Sequence, residues 1–106
     1  MNPSILTDYH DTGDWLTGFV RSHAKLESPR IEGLVDTVGP REGHSYGVRL
    51  TLDGHVHPPP GLPPIELEFR DVAEGRARFA WCAALGGRVR TAARELLAIA
   101  LRGGGR

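Results

Sequence analysis

A chain of 106 residues with 40% hydrophobic and 25% charged residues has the composition of one folded globular domain, which excludes an intrinsically disordered chain. The longest nearly apolar run, "RFAWCAALGG", is too short to cross a bilayer, and a single cysteine excludes an internal disulfide framework. The first residues contain neither a basic nor an apolar signal segment. We therefore expect one cytoplasmic domain over residues 1–106, with no membrane partner.

The net charge is zero, but the charge is unevenly distributed along the chain. Residues 1–69 carry 5 basic and 10 acidic residues, whereas residues 70–106 carry 8 basic and 3 acidic residues. Such a division is compatible with a polyanion-binding half, or with two halves that attract each other within one chain or across a dimer. We favour attraction between the halves.

The first periodic segment, residues 14–27, predicts an amphipathic helix. Thr12 or Asp14 would cap its beginning, and the Ser28–Pro29 pair would end it. Its predicted apolar stripe consists of Trp15, Leu16, Phe19, Val20, His23 and Leu26.

Strand patterns follow this helix. Residues 30–38 form a short candidate strand, residues 39–43 have the composition of a turn, and residues 45–53 alternate most regularly. The segment "GHVHPPPGLPP" then separates this strand from a further alternating stretch that begins at Ile65. We interpret the prolines as a stiffened surface connection between strands, because proline restricts the unfolded loop.

Residues 76–84 fit either a strand or the beginning of the last helix. We predict the strand, paired with residues 65–71 in an antiparallel hairpin, since apolar residues would then face each other across it. The Gly86–Gly87 pair supports a break there, because two glycines inside a helix would cost about 2 kcal/mol relative to alanines. The expected core residues of the hairpin are Ile65, Leu67, Phe69, Phe79 and Trp81.

The last periodic segment, residues 88–102, predicts a second helix that ends near the terminal glycines. Its predicted buried face consists of Val89, Ala92, Ala93, Leu96, Ile99 and Ala100. The resulting order is α-β-β-β-β-α. We expect an α+β fold, a four-stranded antiparallel meander with the N- and C-terminal helices on one face.

The histidines offer one candidate metal site. Asp53, His55 and His57 would share one face if the second strand continued through residue 57, and His44 could add a ligand. Asp53–Gly54 is a turn dipeptide, however, and His57 precedes a proline. We therefore favour exposed loop histidines and expect no bound metal or other cofactor, and we keep a metal-dependent enzyme as the second alternative.

The basic C-terminal half offers a weak anion site. Backbone N–H groups at the "ALGGR" step could contact an anion beside Arg88, Arg90 and Arg94. Together with Arg76 and Arg78, these residues make binding of nucleic acid or an anionic ligand the first alternative function. Exposed aromatic residues or a denser basic face would be expected of a nucleic-acid binder, so we regard nucleic acid as an unlikely partner.

The last helix also carries Leu97 and Leu101 off its predicted buried face, beside arginines. Apolar residues edged by arginine are typical of subunit interfaces. Cys82 lies in an apolar setting with no histidine nearby in sequence, which favours an inert thiol. The leading hypothesis is a small non-catalytic module that acts by protein–protein contact, as a homodimer that uses Leu97 and Leu101 of the last helix or an edge of the sheet.

Overall fold

The computed structural model describes residues 3–104 of the chain. In chain order it contains helix α1 (Pro3–Lys25), strand β1 (Glu32–Asp36), a 3-10 turn (Gly39–Arg41), strands β2 (Ser45–Leu52), β3 (His55–His57) and β4 (Ile65–Glu68), and helices α2 (Phe69–Gly75) and α3 (Phe79–Gly104). The predicted α+β class with a four-stranded antiparallel sheet is confirmed. The sheet nevertheless uses a different set of strands from the predicted one.

Strand β2 is the centre of the sheet, and its alternation is the clearest in the chain. β1 pairs with residues 47–51 on one side of β2. On the other side, β3 pairs with residues 50–52 and β4 with residues 45–48. β3 and β4 thus lie end to end as one interrupted strand, and the proline segment leaves the sheet between them. Asp53 and Gly54 both have positive φ angles, so a two-residue turn joins β2 to β3.

One face of the sheet is apolar and is covered by α1 and α3. Tyr46, Val48, Leu50 and Leu52 of β2 are all buried, as their alternation predicts. The helices bury Leu16 and Val20 from α1, and Val89, Ala92, Ala93 and Leu96 from α3. Ile99 and Ala100 are only half-buried. The expected position of both terminal helices on one face is therefore confirmed.

Helix α1 begins eleven residues before the predicted start at residue 14, and neither Thr12 nor Asp14 is an N-cap. The additional turns are held by Tyr9, whose ring stacks on Tyr46 with centroids 4.6 Å apart. Tyr46 Oη donates a hydrogen bond to the Tyr9 carbonyl at 2.6 Å. Because this anchor lies on β2, periodicity within the helix alone did not reveal it. The stripe is also shifted toward Ala24, which is buried, whereas Leu26 is exposed.

The predicted hairpin between residues 65–71 and 76–84 is wrong. β4 ends at Glu68, and Leu67 pairs with Tyr46 rather than with Phe79. Residues 69–75 form α2, and α3 runs without interruption from Phe79. Leu67 is buried, and Ile65, Phe69 and Trp81 pack against the core, but Phe79 is 89% exposed.

The uninterrupted α3 tolerates its two glycines for a tertiary reason. A Cβ atom on Gly86 would lie 2.7 Å from His23 Cε1, so the absence of a side chain allows the His23 ring to pack closely against α3. Contact between the helices therefore offsets the intrinsic helix penalty of glycine. A Cβ atom on Gly87 would meet nothing within 4 Å.

The opposite face of the sheet carries two arginines with defined contacts. The Arg41 guanidinium lies against Gly47 and donates hydrogen bonds to Glu66, at 2.9 Å from Nη2, and to Asp36, at 2.9 Å from Nη1. Arg49 donates hydrogen bonds to the carbonyls of Pro58, Pro59 and Leu62. These contacts fix the proline segment against β2, in agreement with its interpretation as a stiffened connection.

Candidate functional site

An open groove of about 570 Å³ lies between α3 and the interruption in the third strand position. We call it the β3–α3 groove. Its lining residues are His57, Pro58, Ile65, Ala84, Gly87, Arg88, Thr91, Ala92 and Glu95. The α3 members recur at helical spacing, so they form one continuous stripe. Most of them are small, which leaves the space that a larger side chain would fill.

His57 and Glu95 form a pair across this groove. His57 Nε2 lies 2.7 Å from Glu95 Oε2, and the histidine side chain is only 19% exposed. Its other ring nitrogen, Nδ1, is buried without a hydrogen-bond partner among the described residues. The histidine was expected as an exposed loop residue, and this expectation is wrong because β3 turns its side chain toward α3.

The three predicted metal ligands are not brought together. Asp53 lies on the β2–β3 turn and forms an ion pair with Arg30. His55 and His57 share the helix-facing side of β3 because their partners are Leu52 and Leu50. Within residues 3–104, no group of three histidine, cysteine, aspartate or glutamate side chains is arranged to hold a metal ion.

The three candidate anion-binding arginines lie in two different settings. Arg90 Nε and Arg94 Nε donate hydrogen bonds to Glu27, two residues after the end of α1, at 2.8 and 3.0 Å. Hydrogen bonds from Arg90 and then Arg94 hold the pKa of the Glu27 carboxyl below its ordinary range. Arg88 faces the groove instead and forms no ion pair with any residue of the described part. Part of the charge attraction between the two halves is therefore satisfied inside one chain.

The two predicted interface leucines also differ. Leu97 is partly buried and packs against the core, whereas Leu101 is 75% exposed near the end of α3. The second apolar strip predicted from the sequence is thus divided between the interior and the surface. Of the two, Leu101 offers the larger exposed surface for contact with another molecule.

A second candidate contact surface lies near the beginning of α3. Trp15, Phe19 and His23 form an aromatic row along α1, with ring centroids 5.0 and 4.2 Å apart. Trp81 of α3 approaches Trp15 at 6.3 Å. Phe79 is at helical spacing from Gly86, which contacts His23 of α1, but its ring is exposed. We call the surface formed by Trp15, Gly18, Phe19, Ser22, Phe79 and Ala83 the α1–α3 face.

Gly18 and Ser22 occupy the stripe next to the aromatic row on α1, and both are exposed. A Cβ atom on Gly18 would meet nothing within 4 Å, so this part of the helix is open to close approach.

Cys82 is half-buried, and its Sγ lies 3.6 Å from the carbonyl oxygens of Gly75 and Arg76. The packing of Cys82 fits the structural thiol expected from its sequence setting.

Sequence reasoning missed Thr91 and Glu95 as neighbours of His57, and Phe79 as a surface residue. The spacing of Ala84, Arg88, Thr91 and Glu95 could have indicated a polar stripe on α3. It was not recognised, because the strand prediction for residues 76–84 removed the first turn of that stripe.

No family model matches the chain, and comparisons with curated proteins and with solved structures found no match either. Among the helices of the described residues, none is long and apolar enough to cross a membrane. The geometry of the surfaces is therefore the basis of any functional assignment.

Proposed function

We propose that this protein is a small cytoplasmic module without catalytic activity that acts by protein–protein contact and forms a homodimer. The observation that carries the proposal is the Phe79 ring, which is 89% exposed on the helical stripe that includes Gly86, and Gly86 packs against His23 of the aromatic row. Aromatic residues are enriched at protein interaction sites, so an exposed phenylalanine on this stripe fits such a site.

The charges around this face support a second copy as the partner. Asp11 and Asp14 are exposed on α1 next to Trp15, whereas Arg76 and Arg78 are exposed immediately before Phe79. A two-fold axis through the face would bring the acidic border of one copy against the basic border of the other, twice. Charge complementarity of this kind favours a self-complementary interface over contact with a uniformly charged partner.

The internal ion pairs weigh against a polyanion-binding strip on α3. Two of its arginines, Arg90 and Arg94, are engaged by Glu27, and the ionised carboxylate offsets part of their charge. A nucleic acid would have to compete for both. This arrangement supports protein contact over nucleic-acid binding.

Sedimentation equilibrium at micromolar concentration tests the proposal. The wild-type protein is expected at about twice the chain mass of 11.5 kDa. Gly18→Arg should reduce the measured mass to that of one chain, because a long side chain would project from the α1–α3 face into open space without a clash in the monomer. Gly61→Arg is the matched control, since residue 61 also has open space around it but lies on the proline segment.

A second pair of variants distinguishes the two ends of α3. Phe79→Ser should dissociate the dimer, whereas Leu101→Glu should leave it intact. A wild-type mass of one chain across the whole concentration range would contradict the homodimer. Dissociation by Leu101→Glu but not by Gly18→Arg would move the interface to the C-terminal end of α3, as the sequence alone predicted.

A further inference from the structure

We propose that the β3–α3 groove is a binding site for a small amphipathic carboxylate, with Arg88 as the residue that binds its carboxylate group. This site is separate from the α1–α3 face. The two lie on different sides of α3, because the stripe that includes Arg88 lines the groove with β3 and β4, whereas the stripe that includes Gly86 contacts His23 of α1.

The dimensions of the groove fit a small organic molecule. A volume of about 570 Å³ lies within the range of small-molecule sites, which are mainly apolar with a few polar groups that fix orientation. A smaller cavity of about 80 Å³ adjoins it and is lined by Leu67, Trp81, Ala84, Leu85 and Arg88. Because Ala84 and Arg88 line both cavities, a ligand at Arg88 could extend an apolar group into either.

The charged residues that line the groove favour an anionic ligand. Among the described residues, Arg88 is the only arginine that lines the groove, and none of them forms an ion pair with it. Guanidinium groups bind carboxylates with two parallel hydrogen bonds, which gives orientation as well as affinity. An unpaired arginine beside an apolar surface therefore matches a ligand with a carboxylate at one end and an apolar body.

The acidic residue of the groove is placed where it does not oppose this ligand. Glu95 is seven residues beyond Arg88 on α3, which corresponds to about 10 Å along the helix axis. Its Oε2 is already engaged by His57 Nε2 at 2.7 Å. The apolar part of the ligand would lie near Ile65 and Ala84, away from the Glu95 end.

Small side chains on α3 leave the groove open beside the third strand position. His57 and Ile65 pair with consecutive helix-facing residues of β2, so they are neighbours on the side of the sheet that faces α3. Arg49, on the opposite face of β2, holds the proline segment between them by hydrogen bonds to three carbonyls. The groove is open beside the exposed Gly87, where a Cβ atom would meet nothing within 4 Å.

The test uses the full-length protein labelled with ¹⁵N and two probes of matched shape, 4-phenylbutyrate and its uncharged amide, 4-phenylbutyramide. Titration with the carboxylate should shift the amide signals of Gly87 and Thr91 and leave that of Gly18 unchanged. The amide probe should bind at least tenfold more weakly. Equal affinity for the two probes, or no shift at Gly87 and Thr91 at millimolar carboxylate, would overturn the proposal.

Three variants assign the effect to the groove. Arg88→Gln should weaken binding of 4-phenylbutyrate at least tenfold, whereas Arg21→Gln, on the exposed surface of α1, should leave it unchanged. Gly87→Leu should abolish binding by filling the groove, and its side chain has the space to fit without disturbing the fold. Unchanged affinity in either Arg88→Gln or Gly87→Leu would show that the carboxylate binds elsewhere and would overturn the proposal.

Discussion

The two sides of α3 differ in how closely the neighbouring elements pack against them. On the side that faces α1, His23 packs closely against Gly86, and Glu27 accepts hydrogen bonds from Arg90 and Arg94. On the side that faces β3 and β4, Gly87 has open space around it and Arg88 has no ion-pair partner in the described part of the chain. Gly86 and Gly87 are adjacent but have different surroundings, and the same is true of Arg90 and Arg88. The difference arises from the element that packs against each residue, not from the residue type.

The largest expected effect tests whether the sheet beneath the open side of α3 is tightly packed. Leu67 is buried on β4 and lines the smaller cavity next to the groove. Leu67→Ala should lower the free energy of unfolding by about 2–5 kcal/mol, because it removes buried methyl groups and leaves a cavity. Urea denaturation provides the measurement, with Leu62→Ala on the exposed proline segment as the control. A loss equal to that of the control would mean that this part of the sheet is not packed as described.

The next effect concerns the side of α3 that packs against α1. Gly86→Leu should lower the free energy of unfolding by about 1–3 kcal/mol, because the new side chain must displace the His23 ring. Gly87→Leu is the matched control on the adjacent residue and should not destabilise the protein. If the two variants were equally stable, the two sides of α3 would not differ in packing.

A smaller effect of opposite sign is expected on the open side. Gly87→Ala should raise the free energy of unfolding by up to about 1 kcal/mol, since alanine restricts the unfolded chain and a Cβ atom has room in the folded one. Thermal and urea denaturation can both measure the gain. A loss of stability would show that the groove side is filled in solution.

The smallest effect concerns the ion pairs of the filled side. Arg90 and Arg94 lower the pKa of Glu27 in the folded protein, so folding favours the ionised carboxylate. This contribution is fully present above the ordinary Glu pKa of 4.5 and is lost as the pH falls through the lowered value. Glu27→Gln should therefore flatten the acid dependence of the free energy of unfolding.

Arg41 similarly lowers the pKa of Glu66, so the wild-type protein contains a second group with the same sign. Glu27→Gln is accordingly compared with Glu66→Gln and with the double variant. An unchanged acid dependence in Glu27→Gln would mean that Glu27 and α3 are not joined by these ion pairs in solution.

Where an element has one buried face, the pattern of its own residues was sufficient to predict which of them are buried. The alternation of β2 and the periodicity of residues 88–102 both correspond to buried positions in the structure, because a strand and a helix repeat with fixed periods. The fold class followed from these patterns. The charge division also anticipated contact between the two halves, which the Glu27 ion pairs provide in part.

The sequence by itself thus determined the α+β class, the central strand and the buried face of the last helix. Only the tertiary structure decided that α3 begins at Phe79, because the contact that accommodates Gly86 comes from His23, sixty-three residues earlier. It also decided the groove, since the neighbours of Arg88 come from the two short strands on either side of the proline segment. Contacts between residues so far apart leave no periodic signal in the sequence, because they depend on how the completed elements pack together.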